Sequence, residues 1–241
     1  GIGFNSWKRG TGIGEVYETD SSYYRALTQE TFIDLWNKGL IYEDERLNNY
    51  CHGCKTTLAD AEIERKETTT FLNFVKLKVK ETGKDAVIAT TRPELLCNAV
   101  LVIYNPKDER YANMKGKTAV IPVFNREVPI VEDEEADPEF GTGLVFMSAS
   151  GGDQDAVRFL RKRNIKPIQA VGPDGLMLEI AGPVKGLPTK KAREIVVELL
   201  REKGALEKQV PLTHTVPVCD RSGDTIEFIA MKEFYVKQVE F

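Results

Sequence analysis

From Thr68 onward the apolar residues leave the helical period of the preceding segment and mark short, numerous strands separated by Gly, Pro and Asn. Phe71, Val75, Leu77 and Val79 mark a first strand that ends at Gly83. Ala86 to Thr91, Ala99 to Tyr104, Thr118 to Val123, Glu127 to Val131 and Gly143 to Ser148 mark five more. Several of these are continuous apolar runs, as expected for strands covered on both faces. Short strands joined by tight turns predict a barrel or a closed sheet.

Helices are predicted around that sheet. Asp20 to Lys38 reads as a helix with Asp20 as N-cap and Gly39 as the stop. Tyr24, Leu27, Phe32, Leu35 and Trp36 share one face and are expected to be core contacts. Asp153 is the expected cap of a helix reaching about Arg163, with Val157 and Leu160 inward. Thr189 is the expected cap of another, with Ala192, Ile195, Val196, Leu199 and Leu200 as its apolar stripe and Gly204 as its end. Residues 211–241 return to a strand pattern around Cys219. The expected fold class is α+β, a β-barrel-like domain with surrounding helices between two hinge segments that carry a Cys cluster. The expected divisions are 1–67, 68–210 and 211–241.

A chain of 241 residues can bury a substantial core. Its 41% hydrophobic and 29% charged residues are ordinary for a soluble globular protein. No stretch approaches the roughly 20 apolar residues that span a bilayer. The first residues lack the apolar run of a signal peptide, and the missing initiator Met suggests a piece of a longer chain. Four Cys suggest a reducing, cytoplasmic setting rather than a disulfide scaffold. A net charge of −4 argues against bulk attraction to nucleic acid. Arg158, Arg161, Lys162, Arg163 and Lys166 nevertheless crowd together. They read either as a solvated helix face or as a local landing strip for phosphates.

Cys51-His52-Gly53-Cys54 is a C-x2-C knuckle whose two thiolates can reach one Zn²⁺ from a tight turn. Cys219 is the evident third ligand, but three residues on stands Ser222, a poor one. The chain has only two His, His52 and His214, and each is near a Cys of this set. His214 is therefore the candidate fourth ligand. A structural zinc there would staple residues 51–54 to residue 219; the alternative is a degenerate, empty site with buried Cys. Cys97 has no His nearby in sequence and reads as a small buried residue.

Thr90 and Thr91 end a predicted strand, and Pro93 stops its pairing, so two hydroxyls, the Arg92 guanidinium and the Glu94 carboxylate cluster at a strand end. Such a set suits a polar substrate, although Thr-Thr alone reads equally as turn capping. Phe140-Gly141-Thr142-Gly143 brings backbone close to a neighbour, since two Gly remove side-chain bulk. Ser148, Ser150, Gly151 and Gly152 then lead to a helix with Asp155 in its first turn. That carboxylate either complements the helix dipole or holds an ammonium group.

In this order the segments resemble the editing domain inserted in class I aminoacyl-tRNA synthetases for branched aliphatic amino acids. The resemblance rests on the Cys knuckle followed by Leu58-Ala59-Asp60-Ala61-Glu62-Ile63-Glu64, then Thr-Thr-Arg-Pro, Gly-Thr-Gly, Asp155 and the second Cys segment. It covers nearly the whole chain. The chain is most similar to the valyl members. They share Thr90-Thr91-Arg92-Pro93-Glu94, Asp108-Glu109-Arg110-Tyr111, Asp137-Pro138-Glu139-Phe140-Gly141-Thr142-Gly143 and Val218-Cys219-Asp220-Arg221-Ser222-Gly223. Isoleucyl members typically carry Thr-Thr-Thr-Pro-Trp at the first site, and leucyl members Thr-Thr-Arg-Pro-Asp. The family's ATP signatures, His-Ile-Gly-His and Lys-Met-Ser-Lys-Ser, are absent, so ATP is expected to belong to a parent's synthetic domain. Many valyl members have Lys-x-Thr-Pro-x-His-Asp after Gly-Thr-Gly. Here Phe146-Met147-Ser148-Ala149-Ser150-Gly151-Gly152 stands instead, which resembles an archaeal-type variant.

The resemblance implies post-transfer editing, the hydrolysis of the ester in mischarged Thr-tRNA(Val). It assigns the α-ammonium to Asp155, and the pocket lining and terminal adenosine to Thr90, Thr91 and Arg92. Glu94, Phe140, Gly141, Thr142, Gly143, Phe146 and Ser148 complete the substrate site, with Ser148 meeting the threonine hydroxyl. No His base is expected to be available near these motifs, so orientation and backbone donors are expected to suffice without a catalytic metal. The expected partners are the aminoacylated 3′ end of tRNA and the rest of a parent synthetase, with no membrane and a monomeric state. Two other readings remain: editing of Val-tRNA(Ile) by an isoleucyl member, and a tRNA-docking module without turnover.

Overall fold

A computed structural model of the chain describes residues 18–148 and 154–238. Ser150, Gly151, Gly152 and the predicted cap Asp153 lie outside the described residues. The chain divides into two compact units, Gly1–Arg46 with Met231–Phe241, and Leu47–Ala230. No described helix is long and apolar enough to cross a membrane.

In the first unit, helix α1 (Ser22–Asn37) is capped by Ser21 rather than Asp20: the Ser21 hydroxyl accepts from the Tyr24 amide at 3.2 Å. Gly39, at φ +68°, ends the helix as expected, its amide donating to the Trp36 carbonyl. The predicted core face is not buried, because no residue of α1 is. Phe32 and Trp36 instead pack edge-on against the exposed Phe234, with ring centroids 5.3 and 5.8 Å away.

Strand β1 (Ile41–Cys51) leads into the second unit, where β2 (Thr56–Thr57) pairs with its end, Tyr50 opposite Thr57 and Cys51 opposite Thr56. Next comes β3 (Ile63–Val79), the spine of a seven-stranded sheet. On one flank it pairs with β4 (Asp85–Thr90). On the other, its first part pairs with β9 (Leu206–Cys219) and its end with β6 (Thr118–Ile121). The compositional divisions at 67/68 and 210/211 fall inside β3 and β9. From β6 the sheet continues through β7 (Arg126–Glu132) and β5 (Leu101–Tyr104) to β8 (Leu144–Met147). Among the described pairings of this sheet, only β5–β7 is parallel. The end strands β4 and β8 approach each other without pairing, so the predicted barrel is a curled half-barrel in a mixed α+β fold.

The continuous apolar runs have the physical origin expected of them. Along β5 and β8 the side chains alternate between two cores. Val102, Tyr104 and Leu144 enter a large core with Val75, Leu77, Ile88 and Ile130. Leu101, Ile103 and Met147 enter a second core on the opposite face, covered by Ala156, Phe159 and Leu160 of helix α2 (Gln154–Lys162). On β3, by contrast, Phe71 is 53% exposed, because the strand there has left the core. Helix α3 (Thr189–Glu202) packs Ala192, Val196 and Leu200 into the large core. Thr189 is its first residue rather than its cap, and Pro188 precedes it with no side-chain cap. Strand β10 (Glu227–Val236) closes the described chain.

Three residues of the basic run in and just after α2 are paired. Lys162 contacts Glu135 at 2.7 Å, Arg163 contacts Asp133 and lies 3.6 Å from the Phe159 ring centroid, and Arg158 reaches Asp155 at 3.5 Å. That pattern fits a solvated helix face better than a phosphate strip.

Candidate active site

The largest convergence of the singled-out residues is a cavity of about 490 Å³. That size suits a small-molecule site. It is lined by Thr90, Thr91, Arg92, Phe140, Gly141, Phe146 and Ser148, and also by Leu72, Leu212 and His214. The walls come from the end of β4, the loop before β8, β8 itself and the facing strands β3 and β9.

The Thr-Thr-Arg-Pro segment turns sharply because the Thr90 hydroxyl accepts from the Arg92 amide at 3.0 Å, after which Pro93 opens a 3-10 helix, Pro93–Asn98. Asn73 secures the strand end, its amide group donating to the Thr90 carbonyl at 3.1 Å while its oxygen accepts from Gln209 at 2.8 Å. Asn73 follows the inward alternation of Val75, Leu77 and Val79, so an amide stands where the pattern predicts an apolar side chain.

Arg92 is fixed by two carboxylates: Nε donates to Glu94 at 2.8 Å and Nη2 to Glu227 at 2.6 Å. Its Nη1 is buried with no hydrogen-bond partner among the described residues, while Arg92 as a residue lines the cavity. Glu94 itself does not line the cavity. It is completely buried and accepts from Arg193 as well, at 2.8 and 3.0 Å. Burial alone would raise its pKa. The attraction of Arg92, the hydrogen bond and charge of Arg193 and the bond from Arg92 outweigh that and hold the carboxyl below its ordinary range. Glu94 is therefore placed to orient Arg92, not to touch a ligand. Arg193 and Glu227 join it from positions far away in sequence, and nothing in their local pattern marks them.

In the second segment, Gly141 and Gly143 both adopt positive φ, +62° and +81°. A Cβ on Gly141 would lie 3.1 Å from the Ala89 side chain on β4, so the glycine lets this loop close against the strand that carries Thr90. Gly143 lies against the Asp108–Arg110 pair, and Thr142 accepts from the Tyr111 hydroxyl at 2.5 Å through its carbonyl; neither residue lines the cavity. Phe140 is 65% exposed at the rim. Ser148 is buried and donates to the Asn98 side chain at 2.7 Å, so its hydroxyl can meet a ligand only as an acceptor. Asp155 sits in the first turn of α2 with its carboxylate almost fully exposed, 3.5 Å from Arg158, and does not line the cavity.

The three thiols of the predicted metal site do converge. Cys51, Cys54 and Cys219 place their sulfurs within 4.8 Å of one another, with Cys54 and Cys219 at 3.7 Å. Tetrahedral zinc with bonds of about 2.3 Å sets sulfurs about 3.8 Å apart, so the donor set fits. Hydrogen bonding to Cys219 pushes the Cys54 thiol up to about 11. Cys219 is drawn down to about 7: burial opposes this, but the backbone N–H groups of Ser222 and Arg221 outweigh it. His214 is not the fourth member. It lies opposite Thr68 on the β3–β9 ladder, while Cys219 lies opposite Ile63. Five residues of strand separate them, about 16 Å at ~3.3 Å each. Ser222 and Asp224 stand by the thiols instead, their oxygens 3.1 and 4.0 Å from the Cys51 sulfur. His52 packs on Tyr50, its Nδ1 3.3 Å from the Pro173 carbonyl. Cys97 is completely buried, and burial pushes its thiol up to about 12, which fits a packing role.

Comparison with known proteins places this architecture. The chain is 45% identical over 241 residues to a valine–tRNA ligase of Aeropyrum pernix, covering 100% of this chain and 28% of that protein. It is 49% identical over 226 residues to the valine–tRNA ligase of Nanoarchaeum equitans, covering 93% and 30%. With that of Pyrobaculum aerophilum it shares 43% over 241 residues, covering 100% and 29%. The chain thus spans less than a third of the length of these relatives. Among solved structures, Agrobacterium radiobacter K84 agnB2 LeuRS in its ternary complex with tRNA and LeuAMS gives a TM-score of 0.45 at 17% identity, over 90% of this chain and 37% of that one. A likeness that slight carries no argument. The family model described as class I tRNA synthetases (I, L, M and V) matches residues 14–241, and the chain belongs to that family.

Proposed function

We propose that the chain is the editing domain of a valyl-tRNA synthetase and hydrolyses the ester of Thr-tRNA(Val) in the cytoplasm. The observation that carries this reading is the cavity in which Thr90, Thr91 and Arg92 meet Phe140, Phe146 and Ser148. It brings hydroxyls, a guanidinium-bearing residue and two aromatic rings to one place, which suits a small amino acid joined to a ribose. The valyl ligases among its relatives support the choice of amino acid. Valyl enzymes are a standing illustration of the need, rather than a deduction from this chain: a hydrophobic synthetic site rejects threonine only about 100-fold.

In this reading Phe140 and Phe146 bound the side-chain slot, and the threonine hydroxyl donates to Ser148. Arg92 receives an oxygen of the terminal adenosine or the ester. Asp155, which stands outside the described cavity lining, turns to the α-ammonium and gives up its exposed contact with Arg158, a pair that contributes little. Cys51, Cys54 and Cys219 hold a structural zinc that fastens the knuckle to the end of β9. The tRNA 3′ end and the remainder of a parent synthetase are the partners.

Deacylation of Thr-tRNA(Val) and Val-tRNA(Val) by the chain at high concentration tests the assignment. Selective loss of threonine is expected, and Asp155→Ala abolishes it while the fold persists. Binding of the charged tRNA without turnover would favour a docking module, and selective hydrolysis of Val-tRNA(Ile) an isoleucyl member.

A further inference from the structure

We propose that His214 is the proton acceptor for the hydrolytic water, an inference that rests on the editing reading above. A base would add to orientation and backbone donors in activating the water, and the described lining of the cavity supplies one candidate. Among the described residues the lining holds no carboxylate and no thiol. Arg92 stays protonated at any physiological pH. The Thr90 and Ser148 hydroxyls are engaged with the Arg92 amide and with Asn98, and an unactivated hydroxyl is a poor base in any case. The remaining lining residues, Thr91 apart, are apolar or glycine. An imidazole is the side chain best matched to accepting a proton near neutrality.

Its placement is also that of a positioned group. His214 stands on β9 within the long antiparallel ladder with β3, opposite Thr68, and Leu212 two residues away lines the same cavity. Period-two alternation points the two side chains to one face, and the ladder fixes that direction. The residue is half-buried, so water can reach the ring. It belongs to neither the thiol cluster nor any sequence motif of the cavity. The fold brings it to Thr90, Thr91 and Arg92 from more than a hundred positions away.

The step balances without a co-reactant. The water oxygen forms a bond to the ester carbonyl carbon as its proton passes to the unprotonated ring nitrogen of His214. The tetrahedral intermediate collapses, the bond from that carbon to the ribose oxygen breaks, and the imidazolium returns the proton to that oxygen. The products are the free amino acid and the tRNA with its ribose hydroxyl restored, and the ring ends as it began.

The test is steady-state deacylation of Thr-tRNA(Val) by the chain and by His214→Ala and His214→Asn, with thermal melts alongside and imidazole added to the Ala variant. The expected result is a fall in kcat of about 10²- to 10⁴-fold with KM little changed in both variants. Imidazole should restore part of the rate in His214→Ala, which a purely structural defect would not allow. An unchanged kcat in either variant overturns the proposal, as does an equal loss that imidazole does not relieve. If the unsubstituted chain has no activity above buffer, the editing reading fails first and this role falls with it. An active chain with active His214 variants removes only the role of His214.

Discussion

Glu94→Ala removes the one carboxylate that two arginines share. Arg92 donates to it at 2.8 Å, and Arg193 at 2.8 and 3.0 Å. The carboxylate is 0% exposed, the Arg92 side chain 15% and the Arg193 side chain 29%. Removing one member of a buried ion pair costs about 3–5 kcal/mol, because the other charge stays buried without its partner. Here the lower end applies, about 3 kcal/mol, since Arg92 keeps Glu227 at 2.6 Å and Arg193 is partly solvated. For a chain of this length each kcal/mol moves Tm by about 2–4 °C, so a fall of roughly 6–12 °C is expected. Glu94→Gln keeps the shape and one acceptor oxygen, and should lose less. Both are read by thermal and urea unfolding followed by circular dichroism at pH 7. The sign of the pH dependence follows from the depressed pKa of Glu94. Its contribution is complete above the unfolded value of about 4.3 and disappears as pH falls below it, so the gap between wild type and Glu94→Gln should close in acid. A Glu94→Ala variant as stable as wild type at pH 7, or a gap that survives unchanged in acid, would refute the shared-carboxylate account.

Three further outcomes are expected. Asn73→Ala should destabilise the second unit by about 1–3 kcal/mol, since it removes the side-chain donor to the Thr90 carbonyl and the acceptor of Gln209 at a buried strand end, and amide exchange of the 90–92 turn should rise with it. Gly143→Ala should lower Tm markedly: φ +81° alone costs about 1–3 kcal/mol for a residue with a side chain, and the new Cβ would stand 2.7 Å from Arg110 and 2.8 Å from Asp108. A melt indistinguishable from wild type would show that the loop relaxes freely. For the thiol cluster, elemental analysis should find one zinc per chain, lost in Cys219→Ser, and chelation should lower Tm; metal-free protein with an unchanged melt in chelator would leave the cluster a packing feature.

The strands most legible in the sequence were those with cores on both faces. In β5, Leu101 and Ile103 face one core and Val102 and Tyr104 the other, so burial writes itself as an unbroken apolar run. The stop of α1 at Gly39 was equally local, because a left-handed residue after a helix needs no distant partner. The true start of β3 was hidden: Ile63 to Thr70 is mostly charged and hydroxyl-bearing, exposed, and held by its ladder with β9 rather than by a core. The same holds at the site. Glycine pairs and Thr-Thr-Arg-Pro announce themselves locally, and family likeness orders them. Tertiary structure alone buried Glu94 between Arg92 and Arg193, brought Glu227 to Arg92 and carried His214 away from the thiols into the cavity. The physical reason is that local sequence records what each residue needs, burial or water, strand or turn. Which distant side chains then meet depends on strand register, where one residue of slip turns every side chain to the other face.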